Sequence, residues 1–161
     1  MTVGRTPSQT VGPFFTLGLC RTPQNEVVPG GTLRVVGRVL DGAGLPVEDA
    51  VVELWQPGRA GTGWGRCGTD AEGRFEFRTE KPPAEGDAAP SIDVIVFARG
   101  LLRHLVTRMY FPDEADSNAV DPVLASLDSA ERETLVARLE DGVLRFDLRL
   151  QGERQTVFFA V

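Results

Sequence analysis

Eighteen glycines and eleven prolines punctuate the chain between short apolar runs, and this spacing constrains the fold more than any other feature. Both residues are costly inside a helix, so long helices are excluded over most of the length. What lies between the breaks reads as strands. Leu33-Arg-Val-Val-Gly-Arg-Val-Leu is one, ended by the turn Asp41-Gly-Ala-Gly. Ala50-Val-Val-Glu-Leu-Trp is a second, and Arg74-Phe-Glu-Phe-Arg-Thr, after Asp70-Ala-Glu-Gly, alternates strictly. Ile92-Asp-Val-Ile-Val-Phe is apolar enough for an interior strand, and His104-Leu-Val-Thr-Arg-Met-Tyr-Phe follows it. Leu144-Arg-Phe-Asp-Leu-Arg-Leu has a clean period of two, and Thr156-Val-Phe-Phe ends the series. Short strands separated by turn signals predict an all-β fold, a β-sandwich of about seven to nine strands.

Two segments break the pattern. In Asp128–Leu139, Leu135, Val136 and Leu139 share a helical face, Asp128 and Glu131 spell a capping box, and Gly142 stands where a helix would stop. One short helix is therefore expected there. Residues 1–31, rich in Pro, Thr and Gly, read as an extended N-terminal arm, leaving 32–161 as the sandwich domain.

A chain of 161 residues with 42% hydrophobic content suffices for one core without staples. Its net charge of −6 makes it a poor counterion for a phosphate backbone, which argues against nucleic-acid binding. No run approaches the ~20 apolar residues of a spanning helix. Cys20 and Cys67 form no CxxC, and the opening Met1-Thr-Val-Gly-Arg-Thr-Pro lacks the apolar stretch of a signal peptide, so a reduced, cytoplasmic protein is expected. Lys81 is the single lysine, so nearly every basic site is an arginine fork suited to carboxylates.

Catalytic side chains are few. His104 and Tyr110 would lie about 20 Å apart on one strand, too far for a dyad or a shared metal, and both read as structural. No Gly-x-Ser-x-Gly elbow is present. A zinc or non-haem iron site takes three or four ligands, whereas the carboxylates here are dispersed. Gly61-Thr-Gly-Trp-Gly has no lysine after it and reads as a loop, not a phosphate cradle. On residues alone the chain is a sandwich without its own catalytic apparatus.

Several stretches nevertheless carry a family likeness. Thr6-Pro-Ser-Gln-Thr-Val-Gly-Pro-Phe-Phe resembles the N-terminal signature of the intradiol dioxygenases. Gly37-Arg-Val-Leu-Asp-Gly-Ala-Gly-Leu-Pro-Val, Val52-Glu-Leu-Trp-Gln and Thr69-Asp-Ala-Glu-Gly-Arg-Phe-Glu-Phe match the family's sandwich pattern, which transthyretin-like modules share in weaker form. Phe97-Ala-Arg-Gly, Thr107-Arg-Met-Tyr-Phe, Arg145-Phe-Asp, Gln151-Gly-Glu and Thr156-Val-Phe-Phe resemble the alpha-type chains of its two-subunit members.

The resemblance implies a ferric ion held by two tyrosines and two histidines in catalytic chains, and this sequence departs from that set at every position. The loop Pro57-Gly-Arg-Ala-Gly supplies no tyrosine, nor does Lys81-Pro-Pro-Ala-Glu. The His-x-His positions match Ser91 and Asp93, and a preceding arginine is replaced by Ala88. The implied role is a non-catalytic alpha-type subunit, inactive alone and binding no metal. Its partner would be an iron-binding beta subunit whose Fe(III) cleaves protocatechuate, a small aromatic acid, with O2. The family's interface site matches Thr10, Gly12, Pro13 and Phe14 in the arm, with Arg99 as a charge for the substrate carboxylate. The plainer reading is that Pro7 and Pro13 stiffen a docking arm and Arg99 pairs with a nearby acid. Two other functions compete: a free-standing transthyretin-like binding module, and an enzyme using Asp93, Tyr110 and His104 as unorthodox ligands.

Overall fold

Alternation of side chains along each strand decides how this chain layers. In the computed structural model, which describes residues 4–21, 23–58 and 61–160, β1 (Leu33–Leu40) buries Val35, Gly37 and Val39 and turns Arg34 and Arg38 outward. It pairs antiparallel with β4 (Arg74–Thr79), from Leu33 opposite Thr79 to Arg38 opposite Arg74. It also pairs in parallel with β8 (Val143–Arg145) and β9 (Leu148–Arg149), and β7 (Arg138–Glu140) flanks β8. This is the five-stranded sheet. The second sheet is wholly antiparallel, in the order β3 (Gly61–Gly68), β2 (Val51–Gly58), β5 (Ser91–Phe97), β6 (Leu105–Tyr110). Val35, Val39, Phe75, Phe77, Leu144, Phe146 and Leu148 of the first sheet meet Val52, Leu54, Ile92, Val94, Val96 and Met109 of the second. Each such side chain, fully buried, contributes about 1.5–3 kcal/mol. The expected sandwich is the observed one, with nine strands among the described residues.

Three expectations fail locally, each for a physical reason. Gly61–Gly65 is not a loop but the first half of β3. Its glycines leave room for the end of the arm: a Cβ on Gly65 would lie 2.9 Å from Val27 Cγ2 and 3.0 Å from the Gln24 carbonyl oxygen. Val27, 3% exposed, joins the main core through this opening.

The arm is not simply extended either. Pro13 opens α1 (Pro13–Leu19), with Gly12 as its N-cap residue and the Phe15 N–H donating to the Gly12 carbonyl at 2.9 Å.

The third failure is the helix expected over Asp128–Leu139. Its capping box forms as read, yet the helix, α4 (Ser129–Glu133), ends after five residues. It follows two others, α2 (Ala115–Val120) and α3 (Pro122–Ala125). Beyond Thr134 the backbone is taken by the end of β6: Tyr110 N–H donates to the Leu135 carbonyl at 2.8 Å, and Ala137 N–H to the Tyr110 carbonyl at 3.0 Å. Leu135 is fully buried by this pairing, Leu139 becomes an exposed residue of β7, and Gly142, at φ 77°, serves the β7–β8 turn.

The tightest approach in the sandwich is at Gly37, where a Cβ would collide with the Phe146 carbonyl oxygen and lie 2.6 Å from Phe75 Cζ. Gly37→Ala should therefore destabilise the protein by about 1–3 kcal/mol, as overpacked cores do. Gly18→Ala, where nothing lies within 4 Å, should leave urea unfolding unchanged or slightly stabilised.

Candidate functional site

The arm meets the sandwich at the turn after β5. The Thr10 hydroxyl accepts the Gly100 N–H at 2.8 Å and lies 3.5 Å from the Ala98 carbonyl oxygen, while the Thr16 hydroxyl donates to the Asp49 carbonyl at 2.6 Å. Between these anchors Phe15 packs on Phe97, ring centroids 5.5 Å apart, and Phe97 packs on His104 at the same distance. Arm and turn enclose a cavity of about 450 Å³ lined by Gln9, Val11, Phe15, Phe97, Leu101 and His104, among others. Of the five residues singled out in the sequence, Thr10 reaches this turn directly. Gly12 and Pro13 start α1 beside it. Phe14 is 84% exposed, as is most of Leu17 one turn on. Arg99 pairs with Glu48 at 2.9 Å, both side chains half-exposed.

Sequence reasoning weighed His104 as a structural residue or a metal ligand but not as a cavity wall, because a β-strand pattern says nothing about which loop will fold over a strand's end. The doubled Phe14-Phe15 was the available signal: one ring is half-buried against Phe97 and the other left outside.

A second cavity, about 410 Å³, opens at the far end of β2 and β3, walled by Pro29, Gln56, Pro57, Gly61, Lys81 and Pro83. Arg59 and Ala60, between β2 and β3 in sequence, lie outside the described residues. The Lys81 ammonium is held by Asp113 at 2.6 Å and Glu114 at 2.7 Å. This bond holds the Asp113 carboxyl below the usual carboxylate range. Across the outer face of the four-stranded sheet, Trp64, Trp55, Asp93 and Arg108 stand in one cross-strand row. The two indoles are 5.9 Å apart, and Arg108 Nε donates to Asp93 at 2.8 Å. Tyr110, at the end of β6, is fully buried and turned elsewhere, its hydroxyl donating to Asp121 at 3.0 Å.

These features sit in a chain that matches known proteins along nearly its whole length. The Dioxygenase family model matches residues 16–152. Over 99% of both chains it is 42% identical to the alpha chain of protocatechuate 3,4-dioxygenase from Burkholderia cepacia. Its identity to the beta chain from the same organism is 34%, over 79% of this chain and 67% of that one. Among solved structures it superposes with a TM-score of 0.61 and 25% identity on the dioxygenase domain of a dioxygenase carbohydrate-binding protein fusion from Streptomyces sp. SirexAA-E, covering 91% of this chain and 99% of that one. The chain belongs to the intradiol dioxygenase family.

Members of that family use non-haem iron, and the residues at the matching positions here do not fit a ferric ion. Ser91 is a neutral hydroxyl, Asp93 is engaged by a guanidinium, and the stretches Pro57-Gly-Arg-Ala-Gly and Lys81-Pro-Pro-Ala-Glu carry no tyrosine to supply a phenolate. Tyr110 and His104 are committed to Asp121 and Phe97, on opposite ends of β6. No cluster of three or more His, Cys, Asp or Glu able to hold a metal occurs among the described residues. Nor, among these residues, is any helix long and apolar enough to cross a membrane.

Burial pushes the Tyr110 hydroxyl up from 10.0 to about 12, the nearby Asp121 carboxylate adding to the shift. The folded protein thus holds this proton more tightly than the unfolded chain does. The resulting stability is intact below the unfolded value near 10.0 and is lost as the pH rises toward 12. Tyr110→Phe should cost about 1–3 kcal/mol at neutral pH by removing one donor from a buried carboxylate. It should also flatten the alkaline fall in stability, read by urea unfolding across that pH range.

Proposed function

We propose that the chain is the non-catalytic, alpha-type subunit of a heteromeric protocatechuate 3,4-dioxygenase, acting in the cytoplasm. Its partner is a beta subunit of similar fold that holds Fe(III) and cleaves the aromatic ring between its two hydroxyl-bearing carbons with O2. The observation that carries this reading is the chemistry at the four ligand positions. In a chain similar from end to end to an alpha chain, each position holds a group that is ion-paired or unable to bind ferric iron.

The arm, within residues 1–31, supplies the subunit's contribution to the shared site. Thr10 pins it to the 98–100 turn, and Gly12 and Pro13 set the entry of α1. Phe14 and Leu17 then stand as an apolar pair outside the sandwich, surface that a beta subunit would cover. Arg99 is well suited to exchange partners. An exposed ion pair such as that with Glu48 is worth about 0–1 kcal/mol, so a substrate carboxylate can replace it at little cost.

Two measurements test this. Purified alone, the chain should be colourless, iron-free and inactive toward protocatechuate; co-expressed with a beta chain, it should purify in a coloured, active complex. Colour and activity in the isolated chain would overturn the subunit reading. In the assembled enzyme, Arg99→Ala should raise KM for protocatechuate more than it lowers kcat, and an unchanged KM would remove Arg99 from the site.

A further inference from the structure

On the outside of the five-stranded sheet a groove of about 600 Å³ is walled by five arginines, Arg38, Arg138, Arg145, Arg149 and Arg154. This is a concentration of positive charge in a chain whose net charge is −6. Three carboxylates accompany them. Asp147 is shared, at 3.7 Å from Arg38 and 3.6 Å from Arg138. Glu140 takes Arg145 at 2.7 Å and Arg138 at 3.7 Å, and Glu133 stands in the wall. Among the described residues no carboxylate pairs with Arg149 or Arg154.

Sheet stability does not account for this placement. Arg138 lies directly opposite Arg145 across the β7–β8 pair, a like-charge arrangement that needs Glu140 between them to offset it. Arg154 holds a left-handed backbone, φ 60°, that non-glycine residues adopt at a cost. Arg149 is fixed by two bonds to the buried Thr156, its N–H donating to the hydroxyl and its carbonyl accepting the Thr156 N–H, each at 3.0 Å. Arg149 and Arg154 therefore stand on restrained backbone at the groove's edge, the Arg149 guanidinium lying beside the turn at Gly44. The groove's volume lies in the range of small-molecule sites. Guanidinium forks bind carboxylates in two-pronged fashion, and several converging forks select a ligand with several carboxylates.

We propose that this groove is a binding site for a small polycarboxylate anion, one bearing two or three carboxylates, with Arg149 and Arg154 as its principal contacts. The ligand would supply carboxylate partners to Arg149 and Arg154, which pair with none among the described residues.

The test is calorimetric titration of the full chain with propane-1,2,3-tricarboxylate, with acetate and with pyrophosphate, at fixed ionic strength. Saturable binding of the tricarboxylate is expected, with none for acetate at matched carboxylate concentration and weaker binding of pyrophosphate. Arg149→Ala and Arg154→Ala should each weaken binding by about fivefold or more, while far-UV circular dichroism stays unchanged. Arg149→Lys, which keeps the charge and loses the fork, should also weaken it and serves if the alanine variants misfold. Absence of saturable tricarboxylate binding, or affinity indifferent to both arginines, would overturn the site. Pyrophosphate binding as tightly as the tricarboxylate would overturn its assignment to carboxylates.

Discussion

The structure depends on one contact, the apolar inner faces of two sheets laid against each other. Neither sheet is stable with that face in water, and the two together bury the main core. Strand alternation does the rest, since it forces the opposite face of every strand outward and so decides where charge and aromatic rings must go. The glycines serve this contact too. At Gly37 and Gly65 the missing side chain is what lets another stretch of backbone lie against a strand.

A second, smaller core is built around one buried carboxylate. Asp121 is wholly buried; one oxygen accepts the Tyr110 hydroxyl and the N–H groups of Val123 and Leu124, and the other accepts the N–H of Ala89. A buried charge needs several donors, and four converge here from three parts of the chain. The arrangement caps α3, fastens the end of β6 and closes Leu124 and Leu135 over Tyr110. It also explains why the single tyrosine serves the framework: its hydroxyl completes this cage.

Family membership and the side-chain chemistry of the outer sheet face converge on one account. A sandwich that in its relatives supports iron chemistry keeps its frame here, while the matching positions carry an ion-paired Asp93, a serine and two stretches without tyrosine. The arm remains, pinned by two threonines and presenting apolar side chains outward. On this reading the chain contributes surfaces and positioning to an assembly. The arginine groove on the other sheet shows that its polar surface is organised there as well.

Much of the fold was legible in the sequence because it obeys local rules. β1 and β4 lie where alternation and turns place them, and the capping box at Asp128 and Glu131 forms as spelled. The family likeness was readable for the same reason, being a question of residue identity and spacing. What only tertiary structure decided involves pairing between distant segments. β3 is a strand because Gly63 and Gly65 make room for Val27 and its neighbours, and the stretch after Thr134 leaves the helix because Tyr110 claims its backbone. Arg99 meets Glu48, and five arginines from β1, β7, β8, β9 and the C-terminal turn gather into one groove, for a like reason. Local sequence sets the period of each element, but the neighbour across a sheet is chosen by the packing of the whole chain.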